Sequence, residues 1–178
     1  LPLARVISRI GNESDPRSVS PLVIAKNDIP NSFSPDALRQ AEQADAATMD
    51  DREDFRALPL VTIDDENARD FDDAVWAEAD KNPDNPGGWH LTVAIADVGW
   101  YVHPYDPLDT DAHLRGNSVY LPDRVIPMLP EALSNGWCSL NPDEDRPCLA
   151  VHMWIDAAGH KICHKFHRAM MRSAARLT

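Results

Sequence analysis

Apolar and polar positions alternate in short bursts along this chain rather than in long runs. Leu3-Ala4-Arg5-Val6-Ile7-Ser8-Arg9-Ile10-Gly11 alternates loosely and closes on Gly, so residues 1–11 read as the last strand of a preceding domain. Asp, Ser, Asn and Pro recur through 12–33, as in a linker, with one apolar run at 22–25. Ser34-Pro35 supplies an N-cap and a proline at the first helical position, and the Ala-, Gln- and Glu-rich stretch behind it predicts a helix over 36–49. Residues 12–51 are thus linker and helix, and 50–56 is a charged connector.

From Leu58 onward the pattern is that of strands. Leu60-Val61-Thr62-Ile63 is short and β-branched; 74–78 and 89–98 flank a dense turn signal at 82–88 and predict a hairpin. A short helix is expected over 107–115, closed by Gly116, then a strand at 117–121 and a Pro-rich irregular stretch to Leu140. A second hairpin, 149–156 with 161–171, turns at Ala157-Ala158-Gly159. Hairpins mixed with short helices indicate a mixed α/β (α+β) fold with a largely antiparallel sheet and flanking helices.

Charge sharpens this picture. Across 178 residues the net charge is −12, with 43% hydrophobic and 26% charged residues. Between Asp36 and Asp84 stand sixteen acids and five bases, whereas the chain beyond Asp156 carries five bases and no acid. A pI of 4.8 argues against a general nucleic-acid binder, whose footprint is basic. An acidic centre with a basic end suits a metal-dependent phosphate site instead. No apolar run approaches the roughly 20 residues of a membrane span, and the first residues lack a signal-peptide layout. Three scattered cysteines suit a reducing, cytoplasmic setting. The start at Leu rather than Met suggests an excised piece.

The sharpest local feature is Thr62-Ile63-Asp64 followed by Asp70-Phe71-Asp72-Asp73-Ala74, four carboxylates within ten residues between two predicted strands. A turn there folds the later acids back toward the first, and like charges held so close need a cation or a proton. Mg²⁺ is the natural choice, with Mn²⁺ an alternative, because it takes carboxylate oxygens and fills its shell with water or phosphate. Acid runs are commonly solvated turns, but Phe71 and Ala74 interleave these acids with residues of buried type. The EF-hand spacing is absent.

These blocks resemble the signature of the ribonuclease II/ribonuclease R (RNB) exoribonuclease family. The resemblance continues through Val93-Ala94-Ile95-Ala96-Asp97-Val98, Arg115-Gly116-Asn117-Ser118-Val119-Tyr120-Leu121-Pro122, Ile126-Pro127-Met128-Leu129-Pro130 and Cys138-Ser139-Leu140. It implies that 52–178 is the amino-terminal part of an RNB catalytic domain, incomplete at its C-terminus, and that 1–11 end an OB/cold-shock-like domain. It also implies a Mg²⁺-dependent 3′→5′ hydrolytic exoribonuclease that degrades single-stranded RNA to nucleoside 5′-monophosphates. Asp64, Asp70, Asp72 and Asp73 match the family's active-site aspartates, and Tyr120 matches an aromatic that stacks on a base near the 3′ end. The family's later arginine and glutamate have no counterpart here, so the isolated chain is expected to be inactive. No obligate protein partner is expected, nor a membrane.

Other features carry less. Asp97, at a strand exit, is expected either to orient the metal site or to cap a turn. His160, Cys163, His164 and His167 tempt a zinc reading, but a strand splits them between faces and no Cys-x-x-Cys accompanies them. The five tryptophans are expected as core anchors, and Cys138 as a buried small hydrophobe. An alternative class is a non-catalytic RNA-binding or regulatory domain retaining the RNB fold. A phosphatase of small esters would want a Gly-rich phosphate cradle, and only seven Gly are present.

Overall fold

Turn residues cut this chain into short elements, and the strands among them gather into one sheet. The computed structural model describes residues 3–6, 9–12 and 14–178. A 3₁₀ turn at Pro16–Ser18 leads into helix α1 (Val19–Lys26), followed by α2 (Pro35–Glu42). Strands β1 (Glu53–Asp54), β2 (Val61–Ile63), β3 (Asp73–Ala79) and β4 (Trp89–Ala96) come next. After α3 (Pro107–Arg115) come β5 (Val119–Leu121), β6 (Arg124–Ile126), a π-helical turn at Ala132–Trp137, then β7 (Asp145–Ile155), β8 (Lys161–Arg172) and β9 (Ala175–Leu177).

The seven-stranded sheet has the order β1-β8-β7-β4-β3-β2-β9, and β5 and β6 form a separate ribbon. Its four inner pairings are antiparallel, whereas β1 joins β8 and β9 joins β2 in parallel. Period-two alternation sorts the faces. Ala74, Ala94, Ala150 and Ala169 point inward with no exposed surface and pack with Leu60, Phe71, Leu140 and Met171. Because these inward side chains are small, loops and helices approach the sheet closely. A second cluster joins Ala37 and Ala41 of α2 to Leu108, Leu133, Cys138 and Tyr101. The outer face keeps large apolar side chains open, among them Ile63, Ile95, Leu149, Phe166 and Leu177.

Several expectations need correction. The predicted helix over 36–49 ends at Glu42: Gln43 leaves helical geometry, and Asp45, Asp50 and Asp51 beyond it would oppose the negative end of a helix dipole. The apolar run at 22–25 lies within α1, which tolerates Pro21 because it falls in the first turn. The connector at 50–56 contributes β1, and the stretch before Leu140 contains β6 and the π-helical turn. Of the first predicted strand, 1–11, the described residues 3–6 and 9–11 take no regular structure, and Leu1, Pro2, Ile7 and Ser8 lie outside the described residues. No tryptophan is fully buried: Trp76, Trp137 and Trp154 are half-buried, while Trp89 and Trp100 are exposed. Both hairpins form, with Gly159 at φ 89° in the second turn, and Gly116 closes α3 at φ 77°. Among the described residues no helix is long and apolar enough to cross a membrane.

Toward the far end of its inner face the sheet gathers three histidines. The His152 Nδ1 lies 2.8 Å from both the His90 Nε2 and the Thr92 Oγ1, and its ring stands 5.0 Å from that of His167. His167 Nδ1 meets Glu53 Oε1 at 2.6 Å, tying β8 to β1. His164 lies on the opposite face and Cys163 is exposed, so no zinc set forms from the 160–167 residues. Burial first, then the neighbouring His90 and His167, pushes the His152 pKa below its usual 6.5. The unfolded chain therefore takes up this proton before the fold does, and stability is lost as pH falls through 6.5 toward the depressed folded value. The melting temperature should drop between pH 7.5 and 5.5 by several degrees, at roughly 2–4 °C per kcal/mol, and His152→Gln should flatten that slope. Equal slopes for the two proteins, measured by differential scanning fluorimetry, would refute this origin.

Candidate active site

Asp64 is the residue at which β2 stops, and Asp73 is the one at which β3 begins. The loop between them would splay apart under its own charge without neutral anchors. Phe71 is the apolar anchor, 5% exposed within the main core. Its backbone N–H donates to Ser139 Oγ at 3.0 Å, and the same hydroxyl donates to the Arg69 carbonyl at 2.9 Å. The Phe71 carbonyl accepts from Leu140 N–H at 2.8 Å, and the Asp72 carbonyl from Ala96 N–H at 2.9 Å. At the loop's start, Asp64 N–H donates to the Leu177 carbonyl of β9 at 3.1 Å. With Phe71 and Ala74 buried, Asp70 and Asp72 reach the groove, while Asp73 does not line it.

Asp64, Asp70 and Asp72 line a groove of about 760 Å³, shared with Arg69, Tyr120 and Arg124. Asp73 is not part of that lining, but its charge reaches both Asp64 and Asp72. Burial first and then Asp73 raise the Asp64 pKa, against the opposing charge of Arg176; Asp70 raises it further. Burial, followed by Asp70, Asp73 and Asp64, raises that of Asp72. Asp64 Oδ2 is buried without a hydrogen-bond partner. Tyr120 is 65% exposed on the β5–β6 ribbon, and its hydroxyl donates to Asp70 Oδ2 at 3.0 Å. That bond, ahead of burial, raises the tyrosine pKa.

Among the described residues, no three or more His, Cys, Asp or Glu side chains form a ready cation cage. The donor chemistry nevertheless fits a hard divalent cation of the Mg²⁺ type, which is held by one or two carboxylates plus substrate phosphates rather than by an all-protein cage. The orphaned Asp64 Oδ2 and the uncompensated repulsion are what such an ion would relieve.

Asp97 sits apart from this group. Its carboxylate accepts from Arg52 at 2.8 Å and Arg168 at 3.3 Å, with Arg52 itself almost fully enclosed, and it makes no side-chain capping bond to the 3₁₀ turn at Val98–Trp100. Cys138 is buried, and burial, aided by the Asp72 charge, pushes its thiol up to about 12, so it is no nucleophile. Sequence reasoning gave no role to Ser139, the pin of the acidic loop, or to Arg69 and Arg124 on the groove wall. Ser139 is fully buried between Cys138 and Leu140, and a hydroxyl in so apolar a setting was the available signal.

A profile of the RNB domain matches residues 52–178. The chain belongs to the RNB family. Ribonuclease R of Vibrio cholerae is 46% identical over 180 residues, covering 99% of this chain and 21% of that protein. Ribonuclease R of Escherichia coli is 58% identical over 127 residues, covering 71% of this chain and 15% of that protein. The structure of Mycoplasma genitalium RNase R in complex with ribose methylated single-stranded RNA superimposes with a TM-score of 0.86 at 32% identity. It covers 94% of this chain and 26% of that one. The chain thus spans about a fifth of the length of the first of these relatives, and the mixed, largely antiparallel sheet is the RNB fold.

Ionised Asp72 costs this RNB site stability, because a carboxyl whose pKa is raised on folding favours the fold only when protonated. At pH 7 without divalent ions, Asp72→Asn should melt measurably higher, the gain kept small by the solvent exposure of Asp72. Added Mg²⁺ should then stabilise the native sequence more than the variant. A lower melting temperature with an unchanged Mg²⁺ response would contradict the repulsion described here.

Proposed function

We propose that this chain carries the carboxylate part of a 3′→5′ exoribonuclease centre that hydrolyses single-stranded RNA to nucleoside 5′-monophosphates with Mg²⁺ or Mn²⁺. The observation that carries the reading is the meeting of Asp64, Asp70 and Asp72 with an exposed aromatic, Tyr120, in one groove. One or two of the carboxylates of Asp64, Asp70 and Asp72 would hold the ion together with substrate phosphate, with the charge of Asp73 adding to its attraction. When bound, it supplies an activated water and charge stabilisation for the phosphodiester.

The chain's own groups do the rest. The Tyr120 ring offers a π-face to any base, and its hydroxyl bond to Asp70 sets the ring's position relative to the carboxylates. A base stacked there places the adjoining phosphate against the acids, so recognition demands an unpaired 3′ end without demanding a sequence. Arg69 and Arg124, on the groove wall, are the cations available to the strand's phosphates. Asp97 acts at a remove, holding Arg52 and Arg168 outside the groove lining. Cysteines that are all free and the lack of a spanning helix among the described residues accord with action in the cytoplasm.

In the enzyme at its natural length, Asp72→Asn should abolish turnover while leaving RNA affinity within a few-fold, since stacking and phosphate contacts persist. Loss of affinity in proportion to activity would favour a purely RNA-binding role. Tyr120→Ala should weaken short oligonucleotides by ~1–3 kcal/mol, the worth of one base–aromatic stack, and long ones less. An unchanged ratio of short to long affinities together with a large melting shift would show Tyr120 to be structural.

A further inference from the structure

β9 lies beside β2 in parallel register, with Arg176 opposite Thr62 and Leu177 opposite Ile63. That register delivers the Arg176 side chain to the acidic loop just beyond β2. Its guanidinium donates to the Asp65 carbonyl at 2.9 Å and also to the Glu66 carbonyl. The same plane stands over the Phe71 ring, 5.1 Å from its centroid. Arg176 therefore grips the first residues of the loop and rests on the aromatic that anchors its last ones. Both hydrogen bonds go to carbonyls although acids surround it, so its charge remains available to the field at Asp64, where it acts against Asp73 and Asp70. Its Nε is buried without a hydrogen-bond partner.

We propose that Arg176 is a positioning residue that sets Asp64 and the Asp70–Asp73 carboxylates at the spacing a divalent cation needs. The inference rests on the reading of this site as a cation-dependent nuclease centre. Both carbonyls are met by one nitrogen, Nη2, while the guanidinium plane rests over the Phe71 ring, a pairing of hydrogen bond and stacking that an ammonium does not reproduce. Lysine in its place keeps the charge but loses the stacking and the reach to the carbonyls. Methionine keeps the apolar stem and loses the charge. The two substitutions thus separate geometry from electrostatics.

The test uses the enzyme at its natural length, with Arg176→Lys, Arg176→Met and Asp72→Asn prepared side by side. Mn²⁺ affinity is measured by calorimetry without RNA, and kcat, KM and the half-saturating Mg²⁺ concentration are measured with a single-stranded oligonucleotide. Arg176→Lys should weaken Mn²⁺ binding and raise the half-saturating Mg²⁺ by roughly 10- to 100-fold, the usual cost of losing a group that orients ligands. KM for RNA should stay within about twofold, and excess ion should restore much of kcat, because the carboxylates themselves remain. Arg176→Met should behave similarly; if it fails to fold, the lysine variant carries the test alone. Native Mn²⁺ affinity in a folded Arg176→Lys protein overturns the proposal. So does a lowered melting temperature with unchanged half-saturating Mg²⁺, which would mark a merely structural arginine. If Asp72→Asn also leaves Mn²⁺ affinity and turnover unchanged, the reading of the site itself falls, a failure distinct from that of Arg176 alone.

Discussion

Mutual repulsion among Asp64, Asp70, Asp72 and Asp73 is the constraint around which this structure is arranged. The charges of Asp70 and Asp73 raise the pKa of both Asp64 and Asp72, and no cation in their own segment pairs these acids off. Neutral groups hold them instead: the Ser139 hydroxyl on two backbone atoms, the Leu140 and Ala96 amides on two carbonyls, and the Phe71 ring in the core. Each pin is buried or backed by the sheet, where a hydrogen bond is hard to replace with water. The fold stores an unfavourable interaction at the groove that Asp64, Asp70 and Asp72 line.

The sheet makes this possible through small side chains. Ala74, Ala94, Ala150 and Ala169 lie on its inner face, with Cys148 next to them. Larger residues there would hold the loop around Ser139 away from Phe71 and break both contacts of the hydroxyl. The ribbon of β5 and β6 is joined to the acids differently, by the single Tyr120–Asp70 bond. The carboxylates are therefore pinned to the sheet, and the ribbon that carries Tyr120 is hung from them.

Much of this was legible in the sequence, for stated physical reasons. The alternation Asp70-Phe71-Asp72-Asp73-Ala74 announced a segment buried on one side and charged on the other, and the structure places Phe71 and Ala74 inside. Hairpins with dense turn signals were legible because their pairing is local. The parallel edge strands were not: β1 and β9 have two or three residues each and no periodicity of their own. Their pairing is decided by partners far along the chain. The helix over 36–49 was overextended because Ala and Gln favour helix wherever they stand, while the acids that end it act only through the dipole of a helix already formed. Ser139 left only the faint mark of a hydroxyl in an apolar setting, and Arg176 none, because their hydrogen-bond partners are backbone atoms, which residue identity does not record.

The two parallel edges also fix an order of events. Glu53 pairs with Ala169, and Val61 with Ala175, so each edge closes a loop of more than one hundred residues. Contacts so distant in sequence form late, because loop closure must precede any gain from them. On a ribosome, Asp64 and its neighbours emerge long before β9 exists. Until residue 177 is free of the exit tunnel, the Asp64 amide lacks its carbonyl partner and the loop lacks its arginine. Translation thus produces the acidic segment early and its anchored form only after β9 has followed.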